Sequence, residues 1–136
     1  MIIGGHQIQF MGLIYSFLTS LIISLTIQGE IPYTSLEKAF TSNDASGVVA
    51  EGKDKILLNI LGKEGAYSKS QAGLVLKDFF TKKPGNTFKF IFKGKESSEG
   101  SFAIGTYESK GESFRVTIHF IKEGSDFKIE SLTIEK

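Results

Sequence analysis

Three spacings of apolar residues follow one another along the chain. From Met11 to Ile27 (MGLIYSFLTSLIISLTI) they run almost continuously, with Ser16, Thr19, Ser20 and Ser24 interspersed. Between Leu36 and Phe80 most recur at three- and four-residue intervals, the signature of one buried helical face. From Phe88 onward they alternate with polar residues, the period of a half-buried strand.

The helical region opens with Pro32 before Thr34-Ser35-Leu36-Glu37, a capping-box pattern in which Thr34 caps and Glu37 reaches back. Leu36, Ala39 and Phe40 then share one face of a short helix ending near Ser42-Asn43. Asp44 caps a second helical turn through Val48, Val49 and Ala50. The run Lys55–Leu61 (KILLNIL) is bounded by charge on one side and by Gly62 and Gly65 on the other, and it predicts a buried strand. Ser68-Lys69-Ser70-Gln71 forms a second capping box. Ala72, Val75, Leu76, Phe79 and Phe80 follow at helical spacing, Lys82 and Lys83 suit the negative end of the helix dipole, and Pro84-Gly85 stops the helix. A helix over 68–82 results.

Beyond Asn86, Phe88, Phe90 and Phe92 alternate with Lys89, Ile91 and Lys93, and Phe114, Val116, Ile118 and Phe120 with Arg115, Thr117, His119 and Ile121. Phe127 and Ile129 alternate with Lys128 and Glu130 before the apolar phase switches to Leu132 and Ile134, which predicts a bulge. A weaker strand, Ser101–Ser109, lies between, and glycines at 94, 100, 111 and 124 mark turns. The expected architecture is α+β, with N-terminal helices and the 68–82 helix packed on the Phe-rich face of a twisted antiparallel sheet that ends in a four-stranded meander.

That element order resembles the cone-shaped nuclear transport factor 2-like (cystatin-like) fold. The blocks EGAYSKSQAGLVLKDFF, TFKFIFKG, FAIGTYESKGESFRV and IESLTIEK are similar to a family of small exported Bacteroidetes proteins of unknown function. The likeness spans about Tyr33 to Lys136 and is most specific over Tyr67–Phe80. It implies the fold and an envelope or secreted location, and it implies no chemistry.

Charge distribution fits such a division. Every Lys, Arg, Asp and Glu lies at or after Glu30, so the apolar stretch is followed directly by a charged chain. This predicts residues 1–29 as a secretory signal peptide, or as an N-terminal membrane anchor by residues 11–27, and residues 30–136 as a single domain. The expected location is secreted or periplasmic, with membrane contact only through an uncleaved leader. No cysteine is present for disulfides or acylation. Sixteen basic residues stand against fifteen acidic ones, and the excess of positive charge is confined to residues 53–95. That balance argues against a nucleic-acid partner.

Candidate chemistry is sparse. His119 is the one histidine after the leader, no metal-ligand spacing occurs, and no glycine-rich phosphate loop calls for a cofactor. Ser35-Leu36-Glu37-Lys38 has the S-x-x-K spacing of a lysine-activated serine, but a capped helix start explains it. Two surfaces remain. The Phe-rich inner side is either a solid core or the mouth of an apolar pocket, with Glu108, in phase with Phe102 and Ile104, as a carboxylate at its rim. The outer side carries Lys89, Lys93, Arg115, His119 and Lys128, a cationic patch for an envelope protein or an anionic surface. The sequence therefore favours a non-enzymatic binding module over a pocket protein of the proton-transfer or hydrolase kind. A cavity of roughly 300 Å³ or more between helix 68–82 and the sheet would favour the pocket.

Overall fold

The computed structural model describes residues 29–136; the apolar stretch and both readings of it lie outside them. Two short helices, α1 (Tyr33–Thr41) and α2 (Ala45–Ala50), precede a hairpin of β1 (Gly52–Ile60) and β2 (Lys63–Ser68). Helix α3 (Lys69–Lys82) leads into β3 (Thr87–Lys93), β4 (Ser101–Ser109), β5 (Glu112–Glu123) and β6 (Asp126–Glu135). The six strands form one sheet in the order β2-β1-β6-β5-β4-β3. The expected meander is present, antiparallel at every step from β3 to β6. Beyond it β1 adds to β6 in parallel and β2 extends the sheet antiparallel to β1.

Strand β2 is not predicted by the pattern of apolar residues. Lys63–Ser68 is mostly exposed and contains Gly65 and Ala66, so neither alternation nor β-branched residues betray it. Its pairing comes from the turn. Leu61 and Gly62 both adopt positive φ, 53° and 89°, the two-residue geometry that folds strands back on themselves.

Caps explain where the helices start. Ser68 and Gln71 make the expected box on α3, with Gln71 N–H donating to Ser68 Oγ at 3.3 Å and Ser68 N–H to Gln71 Oε1 at 3.4 Å. Asp44 accepts from Gly47 N–H at 3.0 Å at the head of α2. The box expected at Thr34 does not form. Helix α1 is already turning at Tyr33, with Pro32 as a cap residue that makes no side-chain bond and whose carbonyl accepts from Leu36 N–H at 3.0 Å. Proline's fixed φ suits that entry, and Thr34 is left exposed within the first turn.

All three helices lie on one side of the sheet. Phe40 stacks on Phe88 at 4.5 Å between ring centres, and Phe79 meets Phe80, Tyr107 and Phe114 edge-on or tilted at 5.5–5.8 Å. With Ile56, Val116, Ile118, Ile129, Leu132 and Ile134 these rings make one continuous core. Register shifts interrupt three ladders: between Phe90 and Phe92, between His119 and Phe120, and between Gly52 and Leu57. The second is the expected bulge. His119 pairs with Ser131 and Phe120 with Ile129, so Glu130 is the extra residue. Such insertions bend a sheet and increase its twist, here curving it around the helices.

One polar cluster sits part-buried at the edge of this apolar interior. Asn43, at φ 56°, donates from Nδ2 to the Gly85 carbonyl at 2.6 Å and accepts from Gly85 N–H at 3.2 Å. The Tyr107 hydroxyl lies 2.6 Å from the Lys83 carbonyl and 2.8 Å from Asn43 Oδ1, with one proton to give to either. Burial raises the Tyr107 pKa, so the hydroxyl keeps its proton. The cluster ties the α1–α2 turn to the chain leaving α3.

Candidate functional site

Outward from the sheet, side chains line up in cross-strand rows. Lys89 faces Thr106, Thr106 faces Arg115 and Arg115 faces Glu135, so Lys89 and Arg115 sit two strands apart, about 10 Å. Beyond the intervening Ile104–Thr117 row the face becomes aromatic. Phe92 and Phe102 tilt together at 5.3 Å between ring centres, and Phe102 stacks on the His119 imidazole at 5.7 Å. Phe92 and Phe102 are 47% and 37% exposed, high for rings that could have been buried. Beside them an open depression of about 590 Å³ runs past Lys95, Ser101, Phe102, His119, Glu130 and Ser131.

Four of the five expected residues are on this face: Lys89, Arg115, His119 and Lys128. Lys93 is not. The shift between Phe90 and Phe92 reverses the phase of β3, pairs Lys93 with the inward Ala103, and sets its ammonium 4.5 Å above the Tyr33 ring of α1. The same shift turns Phe92 outward. Nor are Arg115 and Lys128 neighbours. They occupy adjacent strands, but Lys128 pairs with Ile121, six residues along β5 from Arg115, about 20 Å away.

Glu108 is also on the outer face, between Thr87 and Ser113, and exposed. The inward residues of β4 are Ala103, Gly105, Tyr107 and Ser109, so Glu108 rims no inner pocket. Ser35 and Lys38 are both exposed on α1. No cluster of three or more metal-ligating side chains occurs among the described residues.

On the helix side a second concavity opens between α3 and the β1–β2 hairpin. Its volume is about 460 Å³, above the threshold for a functional pocket, although it is an open groove. Ile60, Leu61, Leu74, Val75 and Phe79 form its apolar surface, and Lys63, Tyr67, Asp78, Lys82 and Lys83 its polar rim. Lys82 pairs with Asp78 at 2.9 Å. Lys83 reaches Glu112 at 2.7 Å, and Lys136 holds the other Glu112 oxygen at 2.8 Å. Hydrogen bonds from Lys136 and Lys83 hold the Glu112 carboxyl down at about 2. A cavity between helix 68–82 and the sheet is the expected mark of a pocket, and this groove lies there; what the sequence does not show is that β2 forms one of its walls. The only signal was the spacing of Lys63, Gly65 and Tyr67.

A family model described as "Domain of unknown function (DUF4783)" matches residues 33–135. A comparison with curated proteins gives no match. Among solved structures, a DUF4783 family protein from Bacteroides ovatus is 29% identical, with TM-score 0.72, over 79% of this chain and 96% of that one. Another from Bacteroides uniformis is 25% identical, with TM-score 0.72, over 79% and 97%. A nuclear transport factor 2-like protein of unknown function from Silicibacter pomeroyi shares 10% identity at TM-score 0.57, over 76% and 87%. Helices backed by a curved, mostly antiparallel sheet are thus the nuclear transport factor 2-like fold, as the sequence resemblance implied.

Proposed function

The chain belongs to the DUF4783 family of unknown function, and on that premise we propose that it is an exported, non-enzymatic cell-envelope module that holds an acidic partner against the outer face of its sheet. The observation that carries this reading is the exposed ladder Phe92–Phe102–His119 on the same face as Lys89 and Arg115, with His119 four residues, about 13 Å, along β5 from Arg115. Aromatic rings and arginine are the residues that dominate binding surfaces, the rings by area and the guanidinium by gripping a carboxylate at two points. Glu135 beside Arg115 offsets part of the charge, so the rings carry affinity and the cations orientation.

Lys89→Ala with Arg115→Ala should weaken salt-sensitive retention on a carboxylate matrix, and Phe102→Ala should lower what survives at high salt. All three positions face water, so stability should move by no more than about 0.5 kcal/mol. Lys128→Ala, one row past His119 but without the two-point grip of a guanidinium, should do less than Arg115→Ala. Equal retention of the double variant and wild type at low salt would leave the face as ordinary solvated surface.

Export rests on the mostly apolar, uncharged residues 11–27 and on a family match that starts beyond them, at residue 33. A mature N-terminus between residues 27 and 31 is expected from intact-mass measurement. Material that still carries 11–27 would favour the membrane anchor.

A further inference from the structure

The groove between α3 and the β1–β2 hairpin has features that fold stability does not require. Leu74 is 67% exposed at one lip and Leu61 47% exposed at the other. Leu61 also holds a left-handed backbone, φ 53°, a conformation that leucine adopts at a cost and that Asn or Gly would take more readily. An apolar side chain is therefore presented to water from a turn that disfavours it. Between the lips the surface continues inward over Val75, Ile60 and Phe79 to the core.

The polar rim is asymmetric. Lys82 and Lys83 are engaged with Asp78 and Glu112, while Lys63 enters no ion pair among the described residues. Lys63 pairs with Ile60 across the hairpin and so shares the groove side of β2 with Gly65 and Tyr67. The Tyr67 ring lies directly over Gly65, where a Cβ would meet its hydroxyl and ring carbons at 2.6 Å. The missing side chain at 65 lets that ring lie along the strand toward Lys63 as one wall of the groove. With Lys82 matched by Asp78 and Lys83 by Glu112, Lys63 leaves the mouth positive.

We propose that this groove binds a free fatty acid of medium chain length, its acyl chain between Leu61 and Leu74 and its carboxylate at Lys63 beside the Tyr67 hydroxyl. The apolar floor requires a tail, the uncompensated ammonium selects an anionic head, and the volume suits one chain. The site is on the opposite side of the sheet from the aromatic ladder, so its occupancy does not depend on the outer face.

The test is calorimetric titration of the protein, produced in its own cell, with dodecanoate below its micelle concentration and with dodecanol as the uncharged control. Wild type should bind one dodecanoate and hold dodecanol about tenfold more weakly, the scale of one charge-assisted contact. Lys63→Ala should bring dodecanoate down to the level of dodecanol, and Leu74→Asp should abolish both. Both side chains are exposed, so each variant should keep the wild-type melting temperature. Absence of saturable dodecanoate binding by wild type up to about 1 mM, or undiminished binding by both variants, overturns the proposal. Loss of binding in Lys89→Ala/Arg115→Ala would also overturn it, by moving the site to the outer face.

Discussion

Phe79→Ala should lower stability by roughly 3–5 kcal/mol, the cost of removing a buried ring together with the cavity it leaves. Phe79 is 4% exposed and contacts Phe80, Tyr107 and Phe114, so it joins α3 to β4 and β5 at once. Its neighbours cannot collapse into the space, because Phe80 is held against Phe40 and Tyr107 is tied down by its hydroxyl. In a domain of this size the loss corresponds to a fall in melting temperature of about 10 °C or more. Denaturant unfolding should show a lower midpoint at an unchanged slope. A midpoint within error of wild type would mean that α3 does not cover the sheet.

Tyr107→Phe is expected to cost roughly 0.5–1.5 kcal/mol although it removes a single oxygen, because it takes the hydrogen bond from a part-buried acceptor. The Lys83 carbonyl ends α3, where no further helical N–H is available to it, and Tyr107 is its donor. Asn43→Gly is the informative second variant. It keeps a residue that tolerates φ 56° while removing both side-chain bonds to Gly85. The double variant should lose less than the sum of the two single losses, since Tyr107 and Asn43 share one proton's worth of bonding. Strict additivity in urea denaturation would show that the two ends of the cluster are independent.

Elements set by local signals were legible in the sequence: α3 from its capping box and apolar spacing, the meander from alternation and glycines, and the β6 bulge from a phase switch. Apart from the cap at Thr34, which Pro32 displaces locally, the misplaced features depended on partners distant in sequence. Lys93 followed the alternation of β3 on paper, but an extra residue between Phe90 and Phe92 reverses the side on which it emerges. Strand β4 was read on its bulky residues, Phe102 and Ile104, as though these faced inward. The reverse holds because the Phe88 ring already fills the space above Gly105, where a Cβ would come within 2.4 Å of it. The buried side of β4 is therefore Ala103, Gly105 and Ser109 around a single large residue, Tyr107. Of the outer site, the phases of Lys89, Arg115, His119 and Lys128 were readable. Their distances were not, since register across strands is fixed by turns and bulges.

Strand β6 comes after every other strand in chain order and yet lies between β1 and β5. Until it is in place, the β1–β2 hairpin is separated from the β3–β5 meander by a strand-wide gap, and Leu58 waits for a partner, Leu132, far along the chain. Closing so long a loop is slow, because its entropy is lost before the contacts that repay it are made. A ribosome delivers the strands in one order and the sheet can close only in another. In the nascent chain this sheet therefore stays open until β6 has been made.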